Sequence, residues 1–281
     1  MREMDQIEFR LKELNEWEET FFSYESTDFK TTYSKWTEQL VDQLGEKRKQ
    51  KWLSVMDACL LHLQAWLQHT RSYDETKRRV ISHARTFDPT ITTIDDLQNL
   101  PLEQLDYLAE QLMAKQRLIA LGQGGLTGMG GAFLLLSDLP ALAVIQLRSL
   151  QHLALVYGYD VRRPVELINM LKLFYVATIP KSHQAREWDK LIAEVEEQDR
   201  EHVFYSGDDA ILQDSIFEQL LKQLAKSFVL TMLRKKMIQG VPLVGMAVGA
   251  GMNYRFSQQV IDVGQHFYQK RRLMEELEDW S

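Results

Sequence analysis

Apolar residues along this chain recur every three or four positions, and runs that alternate apolar with polar are scarce. That period belongs to amphipathic helices, not to strands. "REMDQIEFRLKELNEWEETFF" predicts a first, mostly polar helix over 2–22: positions 1–19 hold seven acids and three bases, and Trp17, Phe21 and Phe22 give it something to bury. A short helix over 31–44 follows, and Gly45 accepts the left-handed conformation that ends it. Over 46–69, Trp52, Val55, Met56, Leu60, Leu63 and Leu67 make one stripe. "YDETKRRVISHA" continues as a helix, and "TFDPTITTIDDLQNLP" is a connection with Asp88-Pro89 as its turn signal.

Pro101 opens the next helix, where its missing N–H costs no bond. Leu102, Leu105, Leu108 and Leu112 are its buried stripe, and the pattern runs on into an apolar stretch, 118–147, with one charge, Asp138. Ser137 or Asp138 caps the helix after the interruption, Pro140 sits in its first turn, and Gly158 stops it after Tyr157. Pro164 starts another. Residues 186–209 hold nine acids and three bases, read as a solvated helix and a "YSGDD" loop. A helix with the stripe Phe217, Leu220, Leu221, Leu224 and Phe228 comes next, then a second glycine-rich stretch, 238–254, and a last helix ending in "QKRRLMEELEDWS". The fold class expected is all-α, with about ten helices. An N-terminal helical region, 1–100, leads into a glycine-rich helical core, 101–281, read as one continuous domain.

The glycines change the picture. Six of the chain's fourteen fall in 118–132, although each weakens a helix by roughly 1 kcal/mol relative to alanine. Gly122, Gly124 and Gly128 nearly spell a dinucleotide fingerprint, but no clear strand precedes them and no acid follows to bind a ribose. Close helix packing fits better. Gly124 and Gly128 are four apart, as are Gly245 and Gly249, and as are Ala247 and Gly251, with Gly125 beside the first pair. Small residues at that spacing groove one helix face, so two glycine-rich helical hairpins are expected to pack on each other.

A membrane is the competing explanation. Residues 118–137 and 237–254 are uncharged runs of twenty and eighteen, and about twenty helical residues span a bilayer. Lys115 and Arg117 precede the first run, and Arg234, Lys235 and Lys236 lie just before the second. Basic flanks of this kind favour the cytoplasmic side and an anionic lipid surface. Gly, Gln and Thr dilute both runs, so buried core helices with peripheral membrane contact are preferred to insertion.

Charge and cysteine narrow the classes further. A net charge of −7 disfavours nucleic acid as a partner. Cys59 is the single cysteine, which suits a reducing compartment, and the charged N-terminus is not a secretory signal. Cytoplasmic residence follows as an expectation. No H-E-x-x-H, paired E-x-x-H, G-x-S-x-G or P-loop is present, so neither a metal, a cofactor nor a catalytic residue is assigned. His62, His69 and His83 are too scattered for a ligand set. Asp138 is a lone acid in an apolar run and reads first as a helix cap. Arg148, ten residues on, is a candidate buried partner for Asp138 or for Glu166. The basic runs Lys47-Arg48-Lys49 and Lys77-Arg78-Arg79 offer contacts to anionic lipid or, more plainly, solvated faces.

"GLTGMGGAFLLLSDLPALAVIQLRSLQHLALVYGYD" (125–160) resembles the signature of the EcsC family: a glycine-rich helix, a D-x-P turn, a helix with an internal Arg, then Y-G-Y-D. "IQGVPLVGMAVGAGMNYRFSQQVIDVGQHFYQKRRL" (238–273) resembles that family's C-terminal block, with Val241 before the proline as a mild departure. "LNEWEETFF" is similar to its first helix. The resemblance implies a bacterial accessory protein, encoded beside an ABC transporter and supporting export or secretion, whose partners are the transporter's membrane or ATPase component. It brings no catalytic residues. The alternative is a hydrolase-like enzyme or a lipid- or small-molecule-binding protein with a pocket between the hairpins, using Asp138 and Arg148.

Overall fold

A computed structural model describes residues 2–23, 46–68, 70–127, 139–202, 219–229, 231 and 245–280. Among these the chain is all-α. Its helices are α1 (Arg2–Phe22), α2 (Glu46–Gln68), α3 (Thr70–Ala84), α4 (Leu102–Thr127), α5 (Leu139–Val156), α6 (Pro164–Thr178), α7 (Lys181–His202) and α8 (Gly245–Trp280), and 219–229 is helical as well. The connection expected over 86–101 contains a short 3-10 helix, Asp95–Asn99. The Asp96 carboxylate closes its entry by accepting the Thr92 and Thr93 amides at 2.8 Å each. The helix expected over 31–44 and the "YSGDD" loop lie outside the described residues.

The architecture is organised around α5. Its sequence is mostly apolar, broken by Gln146, Arg148, Ser149, Gln151 and His152, and so apolar a helix belongs in a core or a bilayer. Among the described residues it is the one helix long and apolar enough to cross a membrane, and 78% of it is buried inside the protein. Helices α2, α3, α4, α6 and α8 all pack against it, so its apolar surface is consumed by protein contacts. The long α8 lies along α4 and also touches α1, α5 and α6. Gly264 lies at the contact with α5: a Cβ there would stand 2.5 Å from Leu150 Cδ2 and 2.9 Å from Leu153 Cδ1, so a larger residue would force those leucine side chains to move.

Helix α7 corrects one expectation. Its acids face water, but Trp188, Leu191, Ile192 and Val195 are buried, so it is amphipathic and packs on α6 and α1. The buried apolar cluster runs without interruption from Ile7 and Leu14 in α1 through Cys59, Leu63 and Val80 to Phe267 and Leu273 in α8.

Candidate functional site

The segment Tyr157-Gly158-Tyr159-Asp160, which leaves α5, is where the structure gathers its polar chemistry. Gly158 has φ +91°, a left-handed value that suits glycine. The Tyr159 amide donates to the Ala154 carbonyl at 2.8 Å and the Gly158 amide to Leu155 at 3.3 Å. These are the paired bonds of a Schellman C-cap. The cap turns the chain sharply and aims three side chains at three different elements.

Tyr157 donates its hydroxyl to Asp106 Oδ1 at 2.6 Å. Gln269 of α8 donates to the same oxygen at 2.7 Å, and Arg10 of α1 donates to Oδ2 at 2.7 Å. Asp106, on α4, thus joins α1, α4, α8 and the end of α5. Tyr159 donates to Glu275 Oε1 at 3.0 Å, and the Arg271 guanidinium lies over its ring at 4.1 Å. Arg271 also donates to Glu166 Oε2 of α6 at 2.6 Å, with both side chains under a tenth exposed. Arg272 bonds Glu275 at 3.0 Å and the Gln98 carbonyl at 2.8 Å. Asp160 accepts from the Tyr73 hydroxyl, from the Arg162 amide at 2.9 Å and from Lys77 at 3.4 Å. Burial alone would raise the Asp160 carboxyl. The Tyr73 and Arg162 hydrogen bonds, with the Lys77 charge, outweigh it and hold it below the usual range. Burial pushes the hydroxyls of Tyr157 and Tyr159 up, so both stay protonated donors.

A second polar node lies on the other side of α5. His152 Nδ1 is 2.9 Å from Gln116 Nε2, and His152 Nε2 is 2.9 Å from Thr76 Oγ1. The ring is pushed down to about 4 by burial and by the charges of Arg79, Arg148 and Lys115. It is neutral at physiological pH, a buried linker of α3, α4 and α5.

A cleft of about 780 Å³ opens between α1, α4 and α8, lined by Arg10, Glu13, Asp106, Glu110, Arg117, Asp262, His266 and Gln269 among others. His266 forms part of its wall and stacks on Trp17 with centroids 3.8 Å apart. Burial pushes the Cys59 thiol up to about 12, which leaves it an unreactive core group. Among the described residues no cluster of three or more His, Cys, Asp or Glu is placed to hold a metal.

The residues singled out in the sequence fall as follows. Lys115 and Arg148 are exposed, and Arg117 is half-buried beside the cleft. Gly124 and Gly125 lie in the last turn of α4, and Gly245 and Gly249 begin α8. A Cβ on Gly251 meets nothing within 4 Å among the described residues. Gly128, Asp138, Arg234, Lys235 and Lys236 lie outside the described residues, and with them the packing of the two hairpins. Of the two acids offered to Arg148, Glu166 is held instead by Arg271 of α8, and Arg148 is exposed. Arg148 does not line the cleft either. The sequence reading missed Asp106, His152, Arg271 and Gly264. Glu166 alone carried a signal, as an acid inside the apolar run "PVELINML".

Three comparisons bear on this arrangement. A family model described as the EcsC protein family matches residues 8–273. The chain is similar to "Uncharacterized protein YdbA" of Bacillus subtilis (strain 168), 25% identical over 272 residues, covering 96% of this chain and 94% of that protein. It is also similar to "Protein EcsC" of the same strain, 27% identical over 201 residues, covering 72% of this chain and 78% of that one. No solved structure matches.

Proposed function

The chain belongs to the EcsC protein family, and from that premise we propose that it is a non-enzymatic accessory protein working at the cytoplasmic face of a bacterial cell membrane, beside an ABC transporter. The observation that carries the reading is a stripe on the C-terminal half of α4. Leu118 is 64% exposed, Ile119 43% and Leu121 38%, with exposed Lys115 one turn earlier. Large apolar side chains grouped on a surface mark contact sites. A lysine at the edge of such a stripe suits the boundary between lipid headgroups and acyl chains. The stripe also leads directly into the glycine-rich segment. The polar side chains around Tyr157–Asp160 support a scaffold: they hold one another across helices and present no free nucleophile beside a base.

Fractionation of native cells tests this. A peripheral accessory protein pellets with membranes, and high salt or carbonate releases it. Crosslinking in those membranes captures the transporter's membrane or ATPase component. Recovery wholly in the soluble fraction overturns the reading, and resistance to both washes replaces peripheral contact with insertion. A second reading, small-molecule binding, has the cleft between α1, α4 and α8 in its favour. Arg117 lines that cleft, and its buried Nε has no hydrogen-bond partner. Saturable heat on titration with a metabolite mixture, abolished by Arg117→Gln, would support it.

A further inference from the structure

We infer that Arg79, Lys115 and Arg148 form one binding site for a phosphate-bearing anion, presented by an acidic phospholipid. The membrane reading above supplies the source of the phosphate, whereas the site stands on its own geometry. Three helices meet at the His152 ring. The Gln116 amide of α4 donates to Nδ1, so Nε2 carries the proton and donates to the Thr76 hydroxyl of α3. Each anchor stands within a turn of an exposed cation on its own helix. Arg79 is three residues after Thr76, Lys115 is next to Gln116, and Arg148 is four before His152. Three exposed cations therefore lie on the three helices that hold one buried group, and all three charges oppose its protonation.

Several of the protein's buried and half-buried cations are paired with acids, whereas these three are exposed. Lys77 is held by Asp160, Lys172 by Glu194, Lys270 by Glu18 and Arg271 by Glu166. Arg79, Lys115 and Arg148 make no side-chain hydrogen bond or ion pair among the described residues. The chain has 40 acids against 33 bases, so carboxylates are not scarce. Within four residues of Lys115 the one charged neighbour is another cation, Arg117; Arg148 has only uncharged residues and His152 that close, and Glu75 is the one acid a turn from Arg79. Cations approaching from three helices suit the several oxygens of one phosphate. Leu118 and Ile119, three and four residues after Lys115, share its exposed face and supply an apolar shoulder for acyl chains.

The test uses the purified full chain and vesicles of phosphatidylcholine with or without phosphatidylglycerol. The protein is expected to float with the anionic vesicles only. Arg79→Gln, Lys115→Gln and Arg148→Gln should each lower the partition coefficient roughly fivefold, and the triple variant about a hundredfold. Lys190→Gln, which removes an exposed charge on α7, should change nothing. Unaltered melting temperatures show that the variants are folded. A parallel arm measures the melting temperature against added glycerol phosphate. A rise that the triple variant loses, without flotation, keeps the phosphate site and overturns the lipid as its source. Equal flotation of wild type and triple variant, with no phosphate-dependent rise, overturns the site. Loss of flotation in Leu118→Gln with the phosphate response intact points to a failing of the membrane contact alone.

Discussion

Arg271 shows what single residues do here. Its guanidinium sits on the Tyr159 ring, bonds Glu166 and leans on Glu275, all inside the protein. Such a pair is not a strong stabiliser in itself, because both charges lose their water. Breaking it is costly, because the survivor stays buried and uncompensated. Arg271→Met should therefore lower the unfolding free energy by about 3–5 kcal/mol, read from urea midpoints. Pairing it with Glu166→Leu should recover much of that loss. His152 makes a second prediction at this scale. Its folded pKa of about 4 lies below the ordinary 6.5, so the folded state resists a proton that the unfolded chain accepts. The contribution is complete above pH 6.5, falls as the pH drops below that value, and is gone below about 4. It amounts to about 3 kcal/mol. Urea midpoints measured from pH 7 to pH 4.5 should fall in the wild type, and the slope should flatten in His152→Gln.

At the scale of elements, α4 and α5 have similar leucine content and opposite surroundings. Leu147 of α5 is fully buried, whereas Leu118 of α4 is 64% exposed. The difference arises from how many helices reach each one. Five pack on α5, and the C-terminal half of α4 keeps one face in solvent. Leu147→Ala should cost about 2–5 kcal/mol. Leu118→Gln with Leu121→Gln should leave stability within about 0.5 kcal/mol while reducing the membrane-bound share in fractionation. A double variant that unfolds would show that the stripe is part of the core.

Across the whole molecule, α8 is the closing element. It follows the rest of the chain in sequence, yet it lies against α1, α4, α5 and α6. Glu18 of α1 receives Lys270 of α8 at 2.7 Å and the Trp188 indole of α7 at 3.0 Å, so the first helix is held by α7 and α8. The buried cluster passes through both 1–100 and 101–281. A fragment of 101–281 loses the apolar cover that α1, α2 and α3 give to α5 and α8. We expect it to show no cooperative urea transition by tryptophan fluorescence or circular dichroism. A sharp transition in the fragment would establish a separable domain.

The helical class, most helix boundaries, the stop at Gly158 and the start at Pro164 were legible in the sequence, because they depend on local period, capping and the backbone limits of glycine and proline. The family was legible for the same reason: its signature segments are contiguous. Only the tertiary structure decided which charges meet. Asp106 with Tyr157, Glu166 with Arg271, and His152 with Thr76 and Gln116 are separated by 51, 105, 76 and 36 positions. Nothing in a helical period reports which faces of distant helices will touch. The structure also decided that the largely apolar α5 is core, since so apolar a helix suits lipid and protein interior alike until its neighbours are placed. Gly264, with no glycine near it in sequence, proved to be a contact glycine, because a close approach depends on the helix that arrives opposite.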